Sequence, residues 1–166
     1  MLEIGYPLLD NVSLYILTAN NPPQVFHGGD HLNFDQRHRP HRALNFGVDL
    51  LPGEESALVF RVQTSSSFQV PIRLYSERSF GDHMADDATK TALLYGILLV
   101  MIFFNGFLWL SLRDSTYGYY VLFLTTFMGL LTCLHGTFFQ WVLPNAPQLA
   151  NTLLPTLQFL TLGAVA

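Results

Sequence analysis

The sequence predicts a β domain joined to a membrane α domain: a partial antiparallel β-sandwich or jelly roll, followed by transmembrane helices, two complete and a third truncated. Three observations carry this reading. Residues 91–112, TALLYGILLVMIFFNGFLWLSL, form a run of 22 without a formal charge. At 1.5 Å per residue, a helix of that length reaches about 33 Å, enough for the ~30 Å hydrocarbon core of a bilayer. Charge is also divided unevenly: residues 1–90 hold seven of the eight Lys/Arg and eleven of the twelve Asp/Glu, which leaves Arg113 and Asp114 for the rest. Finally, runs that alternate apolar and polar residues all lie before residue 76, and that period of two marks half-buried strands.

Whole-chain composition, 50% hydrophobic and 12% charged with net charge −4, conceals the division. From Tyr117 to Ala166 come 50 consecutive residues without a charge, a pattern that a water-facing surface does not tolerate. The single cysteine, Cys133, lies inside the second apolar run and offers neither a disulfide framework nor a cysteine metal site. No basic run points to nucleic acid. The chain opens directly in a strand-like segment and stops within a third apolar run, so it reads as a piece of a longer protein. If the first domain is exported, its targeting signal is expected upstream.

In the amino-terminal half, residues 12–18 alternate, with Val12, Leu14 and Ile16 on one face and Ser13 and Tyr15 on the other. Asn20-Asn21-Pro22-Pro23 breaks the run, and a short apolar piece follows over residues 24–27. Gly28-Gly29-Asp30 predicts a turn. Leu44, Phe46, Val48 and Leu50 then alternate with polar or small residues, as do Leu58, Phe60 and Val62 after Pro52-Gly53, and the pair predicts an antiparallel hairpin. Ile72 and Leu74, alternating with Arg73 and Tyr75, predict a further strand. Residues 80–90, FGDHMADDATK, are small, polar and acidic without periodicity, and read as a connector that is already helical from about Ala88. The expected division is a sandwich over 1–84, a connector over 85–90 and a helical domain over 91–166.

In the second half, helices are expected over about 91–112, 117–142 and 152–166, the last truncated. Tyr117, Tyr119 and Tyr120 at the start of the second helix and Trp141 at its end suit the two membrane interfaces. Arg113, the one Lys/Arg in either short loop, places that turn in the cytoplasm and the amino terminus outside, although Arg78 and Lys90 weigh the other way.

Several of these pieces occur together in a known family. Pro7-Leu8-Leu9-Asp10-Asn11-Val12-Ser13-Leu14-Tyr15, then Gly29-Asp30 with Phe34 and Arg37, Asn45-Phe46, Leu51-Pro52-Gly53 and the strand over 58–64 match in order and spacing. So do Gly96, Asn105, Gly136, Gln140 and Pro144 in the membrane half. On these residues the chain resembles bacterial seven-transmembrane receptors with diverse intracellular signalling modules (7TMR-DISM), specifically the end of their type 2 extracellular domain and the start of their membrane domain. The resemblance implies a periplasmic jelly roll likened to carbohydrate-binding modules, seven helices and a cytoplasmic effector, commonly a diguanylate cyclase or a histidine kinase. It implies a bacterial inner-membrane, multi-pass location with the amino-terminal domain in the periplasm.

The residues suited to carry chemistry are few. His27, His31, His38 and His41 lie near Asp30 and Asp35, but their spacing matches no closed metal motif, and no metal or other cofactor is expected. With ordinary histidine pKa values near 6.5, that loop is a candidate for pH response. Asp30, with Arg37 or a backbone group as its partner, is expected to hold a structural turn. Glu54 and Glu55 are adjacent rather than opposed, so no glycosidase pair is nominated and no enzyme activity is expected of this chain. If the sandwich binds a sugar-like ligand, the outward positions Tyr15, Arg61, Arg73 and Tyr75 are the candidates. Asn105 and His135 are expected to serve helix packing inside the membrane. The expected partners are the bilayer and a periplasmic small-molecule ligand or partner ectodomain, with a homodimer left open. A transporter, or a transporter accessory protein with a periplasmic β domain, is the alternative class.

Overall fold

The computed structural model describes residues 1–18, 21–32, 41–48, 53, 55–65 and 67–164. Six strands build two three-stranded antiparallel sheets: β1 (Leu2–Ile4), β2 (Asn11–Thr18), β3 (Asn21–Gly28), β4 (Leu44–Phe46), β5 (Ser56–Gln63) and β6 (Ile72–Leu74). One sheet has the order β4-β1-β6 and the other β3-β2-β5. The helices follow as α1 (Glu77–Leu112), α2 (Ser115–Leu134), α3 (Thr137–Trp141) and α4 (Pro147–Gly163).

The alternation read from the sequence decides which side chains meet between the sheets. Leu2, Ile4, Leu44 and Phe46 come from one sheet, Val12, Leu14 and Ile16 from the other, and Leu9 joins them; all eight are buried in one cluster. Each such side chain contributes about 1.5–3 kcal/mol when removed from water. Leu58, Phe60 and Val62 of β5 pack against this cluster from its margin. Gly29, at φ 145°, turns the chain after β3, and a Cβ there would lie 2.1 Å from the Asp10 carbonyl oxygen. Only glycine fits that approach.

One sequence expectation fails in this domain, and a second holds only in part. β4 and β5 are not a hairpin: β4 pairs with β1 and β5 with β2, in different sheets. Strands that face each other across a sandwich present the same alternation as hairpin partners, so the pattern identified the strands and not their neighbours. The strand does break, between Thr18 and Asn21, but Pro22 and Pro23 lie within β3 rather than in the break. β3 is an edge strand, and the two prolines fall at the irregularity in its register with β2, between the Thr18–Asn21 and Ile16–Gln24 pairs.

Helix α1 departs from the expected bounds as well. It runs unbroken for 36 residues, about 54 Å, so the segment read as a connector over 85–90 is helical along with the residues before it. Ser76 caps its start by accepting a hydrogen bond from the Ser79 N–H at 3.2 Å, and Lys90 pairs with Asp86 one turn back at 2.6 Å. Beyond Lys90 most of its apolar side chains are uncovered by protein, with Phe103 73% and Leu110 74% exposed, while Leu98 is buried. Lipid is the medium in which such a surface is stable. α1 and α2 are both long and apolar enough to cross a membrane. Between them Arg113 adopts the left-handed conformation at φ 53°, and Asp114 caps α2 through the Thr116 N–H at 2.9 Å.

The second helix does not continue to residue 142 as expected. Gly136, at φ 71°, ends it in a left-handed turn of the kind glycine favours at helix C-termini, and the chain restarts as the five-residue α3. The close contacts between helices occur at glycines. A Cβ on Gly118 would lie 2.9 Å from the Trp109 indole nitrogen of α1, and one on Gly129 would lie 3.5 Å from Leu157 of α4.

Candidate functional site

The two halves of the molecule meet around β1. Leu2 and Ile4 point into the sandwich, so the alternation turns Glu3 to the opposite face, beside its register partners Asn45 on β4 and Arg73 on β6. The charged first half of α1 lies over that face. His83 Nε2 comes within 3.4 Å of Glu3 Oε2, and Tyr75 stacks on the His83 ring at a centroid distance of 4.9 Å and 17° between planes. One turn further along α1, Asp87 forms an ion pair with Arg42, which comes from the segment leading into β4. The turn after α2 completes the contact, because a Cβ on Gly136 would lie 3.0 Å from Pro7 Cβ and 3.4 Å from the Arg42 carbonyl oxygen.

A cavity of about 410 Å³ opens at this junction, with Glu3, Arg42, Arg73, His83, Asp87 and His135 among its walls. Both charge signs are present in its walls. Glu3 is 6% and Asn45 5% exposed, yet Glu3 Oε2 and both side-chain polar atoms of Asn45 make no hydrogen bond among the described residues. The His83 contact to Glu3 is of ion-pair length but does not have hydrogen-bond geometry. A buried polar group left without a partner costs about 1–3 kcal/mol, more when charged, and groups held in that state mark strain or function.

Of the four ligand candidates read from sequence, the structure brings Arg73 and Tyr75 together and sets Tyr15 and Arg61 apart from them. Arg73 donates a side-chain hydrogen bond to Tyr75, which raises its already high pKa, and the nearby Glu3 charge adds to that. Tyr15 on β2 and Arg61 on β5 belong to the other sheet, on the face turned away from the core, where Arg61 pairs in register with Ser13 and Tyr15 with Val59. Glu3, His83 and the Arg42–Asp87 pair are not singled out by sequence, and Asn45 enters there only through the family resemblance. A single charge between Leu2 and Ile4 was the one available sign.

The remaining candidates of the sandwich lie in its loops and strand ends. The Asp30 backbone N–H donates to the Leu9 carbonyl at 2.8 Å and anchors the turn; Arg37, its other expected partner, lies outside the described residues. Asp30, Asp10 and His31 bring three possible ligand atoms within 4.8 Å of one another. Asp10, however, already accepts from the Ser65 N–H and hydroxyl, both at 2.7 Å, and from Thr64 at 3.4 Å. Burial alone would raise its pKa; those bonds and the proximity of His31 outweigh burial and hold it below the ordinary aspartate range. It works as a clamp between the loop before β2 and the end of β5. His27 is bonded to Ser13 at 3.0 Å and His41 accepts from the Ala43 N–H at 3.2 Å, while His38 lies outside the described residues.

In the helical half, the half-exposed Asn105 donates its amide to the Met101 carbonyl of its own helix, one turn back, at 2.8 Å. His135 does join two helices, with Nδ1 3.1 Å from the Tyr95 hydroxyl of α1, which also lies 3.0 Å from Thr137.

A β-sandwich seated on the charged extension of a membrane helix defines a membrane protein with a folded domain outside the bilayer. Comparison with known families agrees with that class. Residues 1–76 match the family described as 7TMR-DISM extracellular 2, and residues 88–166 match 7TM diverse intracellular signalling. The chain belongs to the 7TMR-DISM family and carries the junction between its extracellular and membrane modules. It is therefore a membrane protein of receptor type with an extracellular amino-terminal domain and a role in sensing and signalling. No curated protein and no solved structure matches the chain.

Proposed function

We propose that this chain is the input end of a bacterial inner-membrane receptor. Its sandwich, a portion of a periplasmic jelly roll over residues 1–84, senses a small ligand of carbohydrate-like chemistry or a partner ectodomain. The helices of residues 91–166 begin a seven-helix bundle that passes the change to a cytoplasmic effector such as a diguanylate cyclase or histidine kinase. Tyr15 and Arg61 offer one outward surface for the ligand, and Arg73 with Tyr75 another.

The observation that supports this reading is the continuity of α1. The helix that touches Glu3 and Arg42 through His83 and Asp87 is the same helix that enters the bilayer after Lys90. A ligand that prefers one arrangement of sandwich against helix thereby acts directly on the first span, shifting populations by its differential affinity. The test is Ala85→Pro in the full-length receptor. Proline inside a helix costs about 3 kcal/mol and kinks it, so effector output is expected to lose its dependence on the ectodomain while the sandwich stays folded. Unchanged regulation of the effector in that variant would contradict the reading.

A further inference from the structure

The cavity beneath β1 has a polarity that a neutral ligand leaves unused. Its wall carries a buried carboxylate, Glu3, one oxygen of which has no hydrogen bond among the described residues and lies 3.4 Å from His83 Nε2. Its open side carries Arg73, whose side chain is exposed and bonded to Tyr75. Arg42 and Asp87 on the far wall neutralise each other. A cation taken into the cavity thus meets a buried, under-bonded anion, and an anion held near the mouth meets a guanidinium, whose forked donors suit a carboxylate or phosphate. Glu3 and Arg73 are register partners on adjacent strands, so their Cα atoms sit about 5 Å apart and both side chains leave the same face. That separation suits a small molecule with both charges on one short skeleton.

We propose that this cavity binds a small zwitterion, a primary ammonium a few bonds from an anionic group. The ammonium donates to Glu3, and the anionic group accepts from Arg73. His83 and Asp87 on α1 and His135 after α2 wall the same cavity, so an occupant touches the sandwich and both helices. Under the receptor reading proposed above, on which this consequence rests, occupancy couples the two halves.

Two sources supply this chemistry. One is a free amino acid in the extracellular medium. The other is an ethanolamine phospholipid headgroup, because Asp87 and His83 stand only four and eight residues before Thr91, about 6 and 12 Å beyond the apolar span.

The test uses the full chain in phosphatidylcholine nanodiscs, titrated calorimetrically with glycine, β-alanine and γ-aminobutyrate, and with methylamine and acetate as single-charge controls. A parallel arm compares retention of phosphatidylethanolamine with phosphatidylcholine by native mass spectrometry. Saturable binding of at least one amino acid, or selective retention of phosphatidylethanolamine, is expected, and which arm responds identifies the source. Glu3→Gln and Arg73→Gln should each weaken that binding about tenfold or more, whereas Glu55→Gln, on an exposed loop, should not. The exposed Arg73 keeps the test open if Glu3→Gln alters folding. Absence of binding in both arms, equal binding of the single-charge controls, or binding indifferent to Arg73→Gln overturns the proposal. Because the readout is binding alone, a receptor that binds here while its effector stays unmoved sustains the site and contradicts the signalling reading instead.

Discussion

The two sheets of the sandwich share one core but face different surroundings. The outward face of β3-β2-β5, with Tyr15 and Arg61, has no described helix against it, and its positions can change without disturbing anything beyond the sheet. The outward face of β4-β1-β6 lies under α1, and there the same kind of alternating position becomes a buried charge, Glu3, tied to a membrane helix. An outward-facing strand residue is therefore not by that fact a surface residue. What stacks on the sheet decides whether its side chain is solvated or becomes part of a junction.

If the core is common to both sheets, damage to it should erase the difference between them. Leu14 is fully buried between the sheets, and Leu14→Ala is expected to cost the ectodomain about 2–5 kcal/mol, read as a lower denaturation midpoint. A clamp at the edge of the uncovered sheet should cost less. Asp10→Asn removes the charge that draws in Ser65 and Thr64 and is expected to cost about 1.5–3 kcal/mol. It also carries a pH signature. With its pKa held below the ordinary value, Asp10 binds a proton less readily folded than unfolded. Its stabilisation is complete above about pH 4 and is lost as the pH falls through the lower folded value. Acid denaturation of Asp10→Asn should lack that component. The smallest effect belongs to the free face: Tyr15→Ala and Arg61→Ala should leave stability within about 0.5 kcal/mol of the parent and alter only ligand binding, measured by thermal denaturation beside a binding titration.

How much of this was legible in the sequence depended on where the signal was local. The period of two in β2 and β5 marked them because one face of each packs on the core. The uncharged residues 91–112 declared a span because lipid requires it. The near end of α1 gave no such sign, since Gly81, Asp82, Asp86 and Asp87 lack an apolar stripe. It is helical because Ser76 caps it, Lys90 and Asp86 brace it, and the adjoining span removes the cost of nucleating a new helix. The junction was illegible for a different reason. Glu3, Asn45 and Arg73 are brought together by strand register across long stretches of chain, and His83 and Asp87 join them only once α1 is known to be continuous. Gly136 was visible as a glycine, but its left-handed turn, and hence the early end of α2, appears only with the Pro7 loop packed against it.

Cross-linking in the membrane reads the contact between the sandwich and the first half of α1. In a Cys133→Ser background, Arg42→Cys with Asp87→Cys should be joined rapidly by a short bis-methanethiosulfonate reagent in intact membranes. The control pair, Arg61→Cys with Asp87→Cys, should not, because Arg61 lies on the outward face of the other sheet. Efficient cross-linking of the first pair alone is the predicted result. Equal cross-linking of both pairs, or of neither, would contradict a sandwich seated on α1.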